Sequence, residues 1–131
     1  MRTIKFRGKG LVYGRWIFGD LYRTDQDGGM AIQYYDEVDG WMTEDVDEKT
    51  IGQFTGLLDI HGREIYEGDV VRVRVTNDRF TRNPRFEIGS VKYDDYYGRW
   101  DNGFHGRFFS NRMEVIGNIH DNPELIEGVK A

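Results

Sequence analysis

Residues 70–75, Val70-Val71-Arg72-Val73-Arg74-Val75, alternate valine with arginine from position 71 onward. Successive side chains of an extended chain point to opposite faces, so this run predicts a strand with one buried apolar face and one wet basic face. The same period-two patterning recurs along the chain, and no window of helical length carries a sustained 3.6-residue repeat. Ile4-Lys5-Phe6-Arg7 alternates apolar with basic residues, and Gly8-Lys9-Gly10 is expected to turn into a second strand over 12–19. Asp27-Gly28-Gly29 is a hairpin signal between Leu21-Tyr22 and residues 30–35, and Asp39-Gly40 is another, leading to Trp41-Met42. A short strand is expected over 51–56, and His61-Gly62 turns into Glu64-Ile65-Tyr66. Residues 86–93 should partner the valine strand across the polar loop 76–85. Aromatic strands follow around Asn102-Gly103, and a last strand covers 113–119. Asp121-Asn122-Pro123 then offers a cap and a proline for one helical turn ending near Glu127.

The 17 glycines against 2 prolines supply tight turns, and the 15% aromatic content can fill a small core with few residues. The expected fold is mainly β, in one domain spanning 1–131. An N-terminal β-meander over 1–66 leads into a small SH3-like barrel part over 67–131, closed by a short helical turn.

Several chemistries are excluded at once. The chain has no cysteine, which removes disulfides, zinc–thiolate sites and thiol catalysis. The N-terminal MRTIKFRGKG lacks a following apolar segment, and no apolar run approaches the ~20 residues of a membrane helix, so a cytoplasmic location is expected. A net charge of -5 argues against bulk attraction to nucleic acid. The charge is unevenly spread, however. Arg2, Lys5, Arg7, Lys9 and Arg15 precede the first acid, Asp20, and residues 36–48 carry seven acids and no base. A second basic cluster comprises Arg72, Arg74, Arg79, Arg82 and Arg85.

Three blocks, in this order, carry a family resemblance. They are Lys5-Phe6-Arg7-Gly8-Lys9 with Trp16 and Gly19-Asp20-Leu21; then residues 50–70, including Thr50-Ile51-Gly52-Gln53-Phe54-Thr55-Gly56 and Tyr66-Glu67-Gly68-Asp69-Val70; then residues 114–125. Together they resemble the YopX-like phage and prophage proteins over nearly the whole chain. The resemblance implies a phage or prophage origin in a bacterial host, and it carries over no catalytic residue. Residues 36–48 and 76–85 match no fixed part of it.

His61, Glu67 and Asp69 could assemble a metal-dependent enzyme, because imidazole and carboxylates ligate divalent cations. His61, His105 and His120 lack the i, i+4 spacing of a helical metal pair, though, and Glu67-Gly68-Asp69 reads better as a turn before the Val70 strand. Gly8-Lys9-Gly10 and Thr55-Gly56-Leu57 lack phosphate-loop spacing, and Ser90 and Ser110 lack a nucleophile-elbow context. No catalytic residue, metal or cofactor is therefore assigned. A basic and aromatic set, Arg72, Arg74, Arg82, Arg85, Tyr96 and Trp100, could bind single-stranded nucleic acid by pairing cations with stacking rings. An acidic and aromatic set, Asp36, Glu37, Trp41, Glu44 and Asp45, could meet the basic surface of a protein partner, or the basic N-terminal residues of a second copy in a homo-oligomer. The expectation that follows is a non-enzymatic accessory protein that binds a protein partner, with nucleic-acid binding as the alternative.

Overall fold

The structure, a computed structural model, describes residues 3–24, 28–74, 85–102 and 112–127. The described residues are mainly β, as the patterning predicts: among them are eleven antiparallel strands, a 3₁₀ turn and a helical turn. The chain divides into two compact units, 1–56 and 57–131.

The first unit holds β1 (Phe6–Lys9), β2 (Trp16–Arg23), β3 (Met30–Asp36), β4 (Gly40–Val46) and a 3₁₀ turn (Glu48–Thr50). It also holds the start of β5 (Gly52–Leu58), which runs on past Gly56. β2 changes partner along its length: residues 16–19 pair with β1 and residues 20–23 pair with β3. Gly19 sits at the handover. A Cβ there would stand 2.1 Å from the Gln33 carbonyl oxygen, so only glycine admits β3 this closely.

Gly8 and Gly10 serve packing rather than the turn expected of them. A Cβ on Gly8 would lie 3.0 Å from Val46, and one on Gly10 would lie 3.0 Å from Ile17. The strand therefore continues through Lys9 and reverses later. The Gly14 N–H donates to the Gly10 carbonyl (2.9 Å), the Gly10 N–H donates to the Arg15 carbonyl (2.9 Å), and Gly14 takes a φ of 67°.

The other edge of β1 is shared. Phe6 and Arg7 pair with Gln53 and Gly52 of β5, while Gly10 bridges Val46 at the end of β4. Between these two pairings the 3₁₀ turn would leave a strand amide unpaired. Thr50 fills the gap: its buried hydroxyl accepts the Lys9 N–H at 2.8 Å and donates to the Asp47 carbonyl at 2.6 Å. The Asp47 carboxylate caps the same turn by accepting the Lys49 N–H. Ile17, Ile32 and Val46 form the core beneath, packed round by Leu21, Met30, Tyr34 and Ile51.

The second unit contains β6 (Glu64–Tyr66), β7 (Asp69–Arg74), β8 (Phe86–Ser90), β9 (Lys92–Asp94), β10 (Arg99–Asp101), β11 (Met113–Asn118) and α1 (Glu124–Glu127). β7 is central in a three-stranded sheet ordered β11-β7-β8, and β9 pairs with β10 in a separate hairpin. Val71 and Val73 enter the core with Ile65, Val91 and Met113, while Arg72 and Arg74 face outward, as the alternation requires. Full burial of each such valine stabilises the fold by ~1.5–3 kcal/mol. Because β9 pairs with β10 instead of extending the β8 edge, no sheet closes into a barrel among the described residues, so the SH3-like closure expected for 67–131 is not a feature of them. The one turn of helix forms where Pro123 predicts it. No described helix is long and apolar enough to cross a membrane.

Candidate functional site

The segment richest in chemical side chains, residues 59–69, is held together by backbone contacts. Asp69 is buried, and its carboxylate accepts the Tyr66 N–H at 2.7 Å. Gly68 has a φ of 93°; its N–H donates to the Val91 carbonyl, and its own carbonyl accepts the Ile119 N–H. Glu67-Gly68-Asp69 is thus a turn that ties three chain segments together. His61 points elsewhere: its Nε2 lies 2.7 Å from Glu114 Oε2. Among the described residues no group of three or more His, Asp or Glu side chains is arranged to hold a metal ion.

The polar hub of this region is Asp59, which sequence reasoning missed. Its buried carboxylate accepts the N–H groups of His61 and Arg63 (both 2.9 Å) and, across the sheet, that of Val115 (2.9 Å). Arg63 Nε approaches it at 3.3 Å. Burial alone raises its pKa, but the amides of Val115, Arg63 and His61, with the Arg63 charge, hold it below the ordinary carboxylate value. An aspartate three residues before a positive-φ glycine was the available signal.

On the outer face of β7, Arg72 stands opposite Glu114 of β11 and Ile88 of β8. Its guanidinium lies 2.8 Å from Glu114 Oε1 and 4.8 Å from the Phe86 ring centroid. Glu114 therefore bridges His61 and Arg72. The His61 hydrogen bond is the main cause of its lowered pKa; burial opposes this, and the charges of Arg72, His61 and Arg63 add to it. Arg74 shares the face, opposite Phe86, and Arg85 lies 3.9 Å from Glu87. Arg82, with Arg79, lies outside the described residues. The two ring positions go elsewhere: Trp100 packs against the core cluster of Ile65, Val71, Val73, Val91 and Met113, and Tyr96 sits 88% exposed on the turn between β9 and β10, edge-on to Tyr97. The structure thus brings Arg72 and Arg74 together with Phe86, and not with Trp100.

The acidic set divides between the two faces of the β3–β4 hairpin. Trp41 and Asp45 lie on the outer face, where Tyr35 pairs with Trp41, Gln33 with Thr43, and Ala31 with Asp45. Glu44 lies on the opposite face beside the core. There it accepts the Tyr34 hydroxyl at 2.6 Å and the Arg15 guanidinium. These two hydrogen bonds, Tyr34 first, lower its pKa against the effect of burial. Asp36 folds into the hairpin turn, where it accepts the N–H groups of Asp39 (3.0 Å) and Val38 (2.8 Å), and these lower its pKa. Gly40, with a φ of 79°, completes that turn, and Glu37 is exposed at its tip.

What remains outward is an aromatic corner with acids around it. Tyr35 and Trp41 meet edge to face, with centroids 5.4 Å apart and planes at 73°. They are 63% and 66% exposed, and Val38 at the tip is 89% exposed. Asp20 and Tyr22 of β2 extend the same face, opposite Gln33 and Ala31. Rings of this size stay uncovered on a free surface at a hydrophobic cost, which contact with a partner removes.

A model of the YopX protein family matches residues 5–127. The crystal structure of protein EF1440 from Enterococcus faecalis is similar, with a TM-score of 0.58 and 23% identity, over 97% of this chain and 100% of that one. At that identity the likeness speaks for the fold. No curated protein matches the sequence.

Proposed function

The chain belongs to the YopX family, and from that premise we propose that it is a phage or prophage accessory protein of the host cytoplasm that works, without catalysis, by binding a protein partner. The observation that carries this reading is the Tyr35–Trp41 pair, two large rings locked against each other and still mostly exposed. Tyr and Trp dominate the binding energy of protein interfaces because they bury much area at small entropic cost. The turn beneath them is rigid: Asp36 pins it with two backbone hydrogen bonds, so a partner meets a preformed tip. The test is a photo-crosslinking amino acid placed at Thr43, exposed one row from the rings on the same face, and, as control, at Thr24, in chains expressed in a bacterial host. A discrete adduct from position 43 that disappears in Tyr35→Ala supports the reading. Equal adducts from both positions, or none from 43, overturn it.

A second reading has one observation in its favour. Arg72, stacked on Phe86 with Arg74 alongside, forms a small cationic and aromatic face of the kind that holds single-stranded nucleic acid. Glu114 neutralises part of it, which places this reading second. It predicts low-salt binding of an oligonucleotide that weakens as salt rises and is lost in Arg72→Ala/Arg74→Ala.

A further inference from the structure

We infer that the outer face of β2–β3–β4 receives an extended, cationic, proline-bearing peptide segment, with a proline in the corner between Tyr35 and Trp41 and a lysine or arginine over Asp20 and Asp45. The inference rests on the partner-binding reading and names the chemistry of the partner.

Three observations carry it. The first is shape. Tyr35 and Trp41 meet edge to face at 73° and stay mostly exposed, so the uncovered part of each ring is available to a pyrrolidine ring. Polyproline segments dock on exposed aromatic ridges in this way because they are already extended and lose little entropy on binding.

The second is charge. No Lys, Arg or His occurs anywhere from Thr24 to Glu48. On the outer face the acids Asp20 and Asp45 project beside the rings, while Glu44 is turned to the other face and engaged with Arg15. Arg23 of β2 pairs with Met30 on the other face, and Arg7 and Lys9 of adjoining β1 lie over Trp16. The part of the face around Tyr35 and Trp41 is therefore acidic and favours a cationic segment.

The third is spacing. Asp20 lies one outward row from the Tyr35–Trp41 pair, through its register with Gln33, and Asp45 lies two rows away. At ~3.4 Å per residue these rows fall about 7 and 14 Å along the strands. A polyproline helix rises ~3.1 Å per residue, so a basic residue two to four positions from the proline comes into register with these acids.

The probes are fluorescein-labelled dodecapeptides of repeating Pro-Pro-Arg-Pro, read by anisotropy against the full chain. Two controls replace Arg with Glu or Pro with Gly. Saturable binding of the parent is expected, weakened at least tenfold by Trp41→Ala, by Tyr35→Ala and by either control sequence. Asp20→Asn/Asp45→Asn should weaken it several-fold and flatten its salt dependence. These positions are at the surface, and circular dichroism verifies that each variant is folded. Equal binding of the Gly control overturns the proline assignment, and equal binding by the Asp20→Asn/Asp45→Asn chain overturns the charge assignment. If position 43 crosslinks a cellular protein while the parent peptide does not bind, this inference falls and the partner-binding reading stands. If neither occurs, both fall.

Discussion

Replacing Asp59 with Asn tests whether a single buried carboxylate secures the 59–63 turn to β11. The ionised group accepts three backbone N–H groups, and hydrogen bonds to a charged partner contribute ~1.5–3 kcal/mol each. Two of those amides, from His61 and Arg63, lie in an exposed turn where water can replace the carboxylate. The Val115 amide is half-buried in the sheet and cannot be resolvated so easily. An asparagine that keeps its oxygen on the turn must aim its NH₂ at that amide, donor against donor. The expected loss is about 2–4 kcal/mol, a large share of the ~5–15 kcal/mol typical of a domain.

Urea unfolding followed by tryptophan fluorescence measures this loss. The effect must also depend on pH. Asp59 has a folded pKa below its unfolded value of about 3.9, so its contribution is fully present above that value and is lost as pH falls through the folded pKa. The difference between wild type and Asp59→Asn should therefore be constant from pH 7 to about 5 and shrink below about 3.9. A difference under ~0.5 kcal/mol at pH 7, or one that stays constant to pH 2.5, refutes the assignment.

Thr50→Val keeps the shape but strands the Lys9 amide, and should cost about 1–3 kcal/mol in chemical denaturation, with Thr50→Ser recovering most of it. Gly19→Ala places a methyl against the Gln33 carbonyl and should cost more than ~3 kcal/mol or abolish soluble expression. Gly14→Ala, which meets nothing within 4 Å but must hold a φ of 67°, should cost only ~1 kcal/mol by the same assay. His61→Ala removes the main cause of the lowered Glu114 pKa, so the carboxyl ¹³C titration of Glu114 should move to higher pH.

Local patterns carried much of the architecture. Valine–arginine alternation told buried from wet residues on β7, and Pro123 located the helical turn, because each depends only on neighbours in the chain. The Gly8-Lys9-Gly10 reading failed because these glycines answer to Val46 and Ile17, whose approach no local window contains. Gly19 stands in the family pattern, but its packing role is illegible there for the same reason, since its constraint comes from a carbonyl on β3. Among candidate site residues, strand parity separates Trp41 and Asp45 from Glu44, and this was readable once the strand was placed. The engagement of Arg72 by Glu114 was not, because it spans 42 positions of sequence. By residue type Trp100 suits a stacking platform, and only its packing against the cluster of Ile65, Val71, Val73, Val91 and Met113 shows that it flanks a core.

The placement of β7 between β8 and β11 sets an order on synthesis. Among the described residues, the strand partners of β1 to β4 lie within the first 53 residues, so these pairings can form while the rest of the chain is still being translated. β7 can gain β8 soon after it is made, but its second edge, and the amide that Asp59 needs, arrive only with residues 113–118. Until then the valine strand presents an unpaired edge and a half-covered apolar face, the condition in which nascent chains pair wrongly. Arg72 and Arg74 project from that strand, and charged side chains on an open edge are a general device against edge-to-edge pairing.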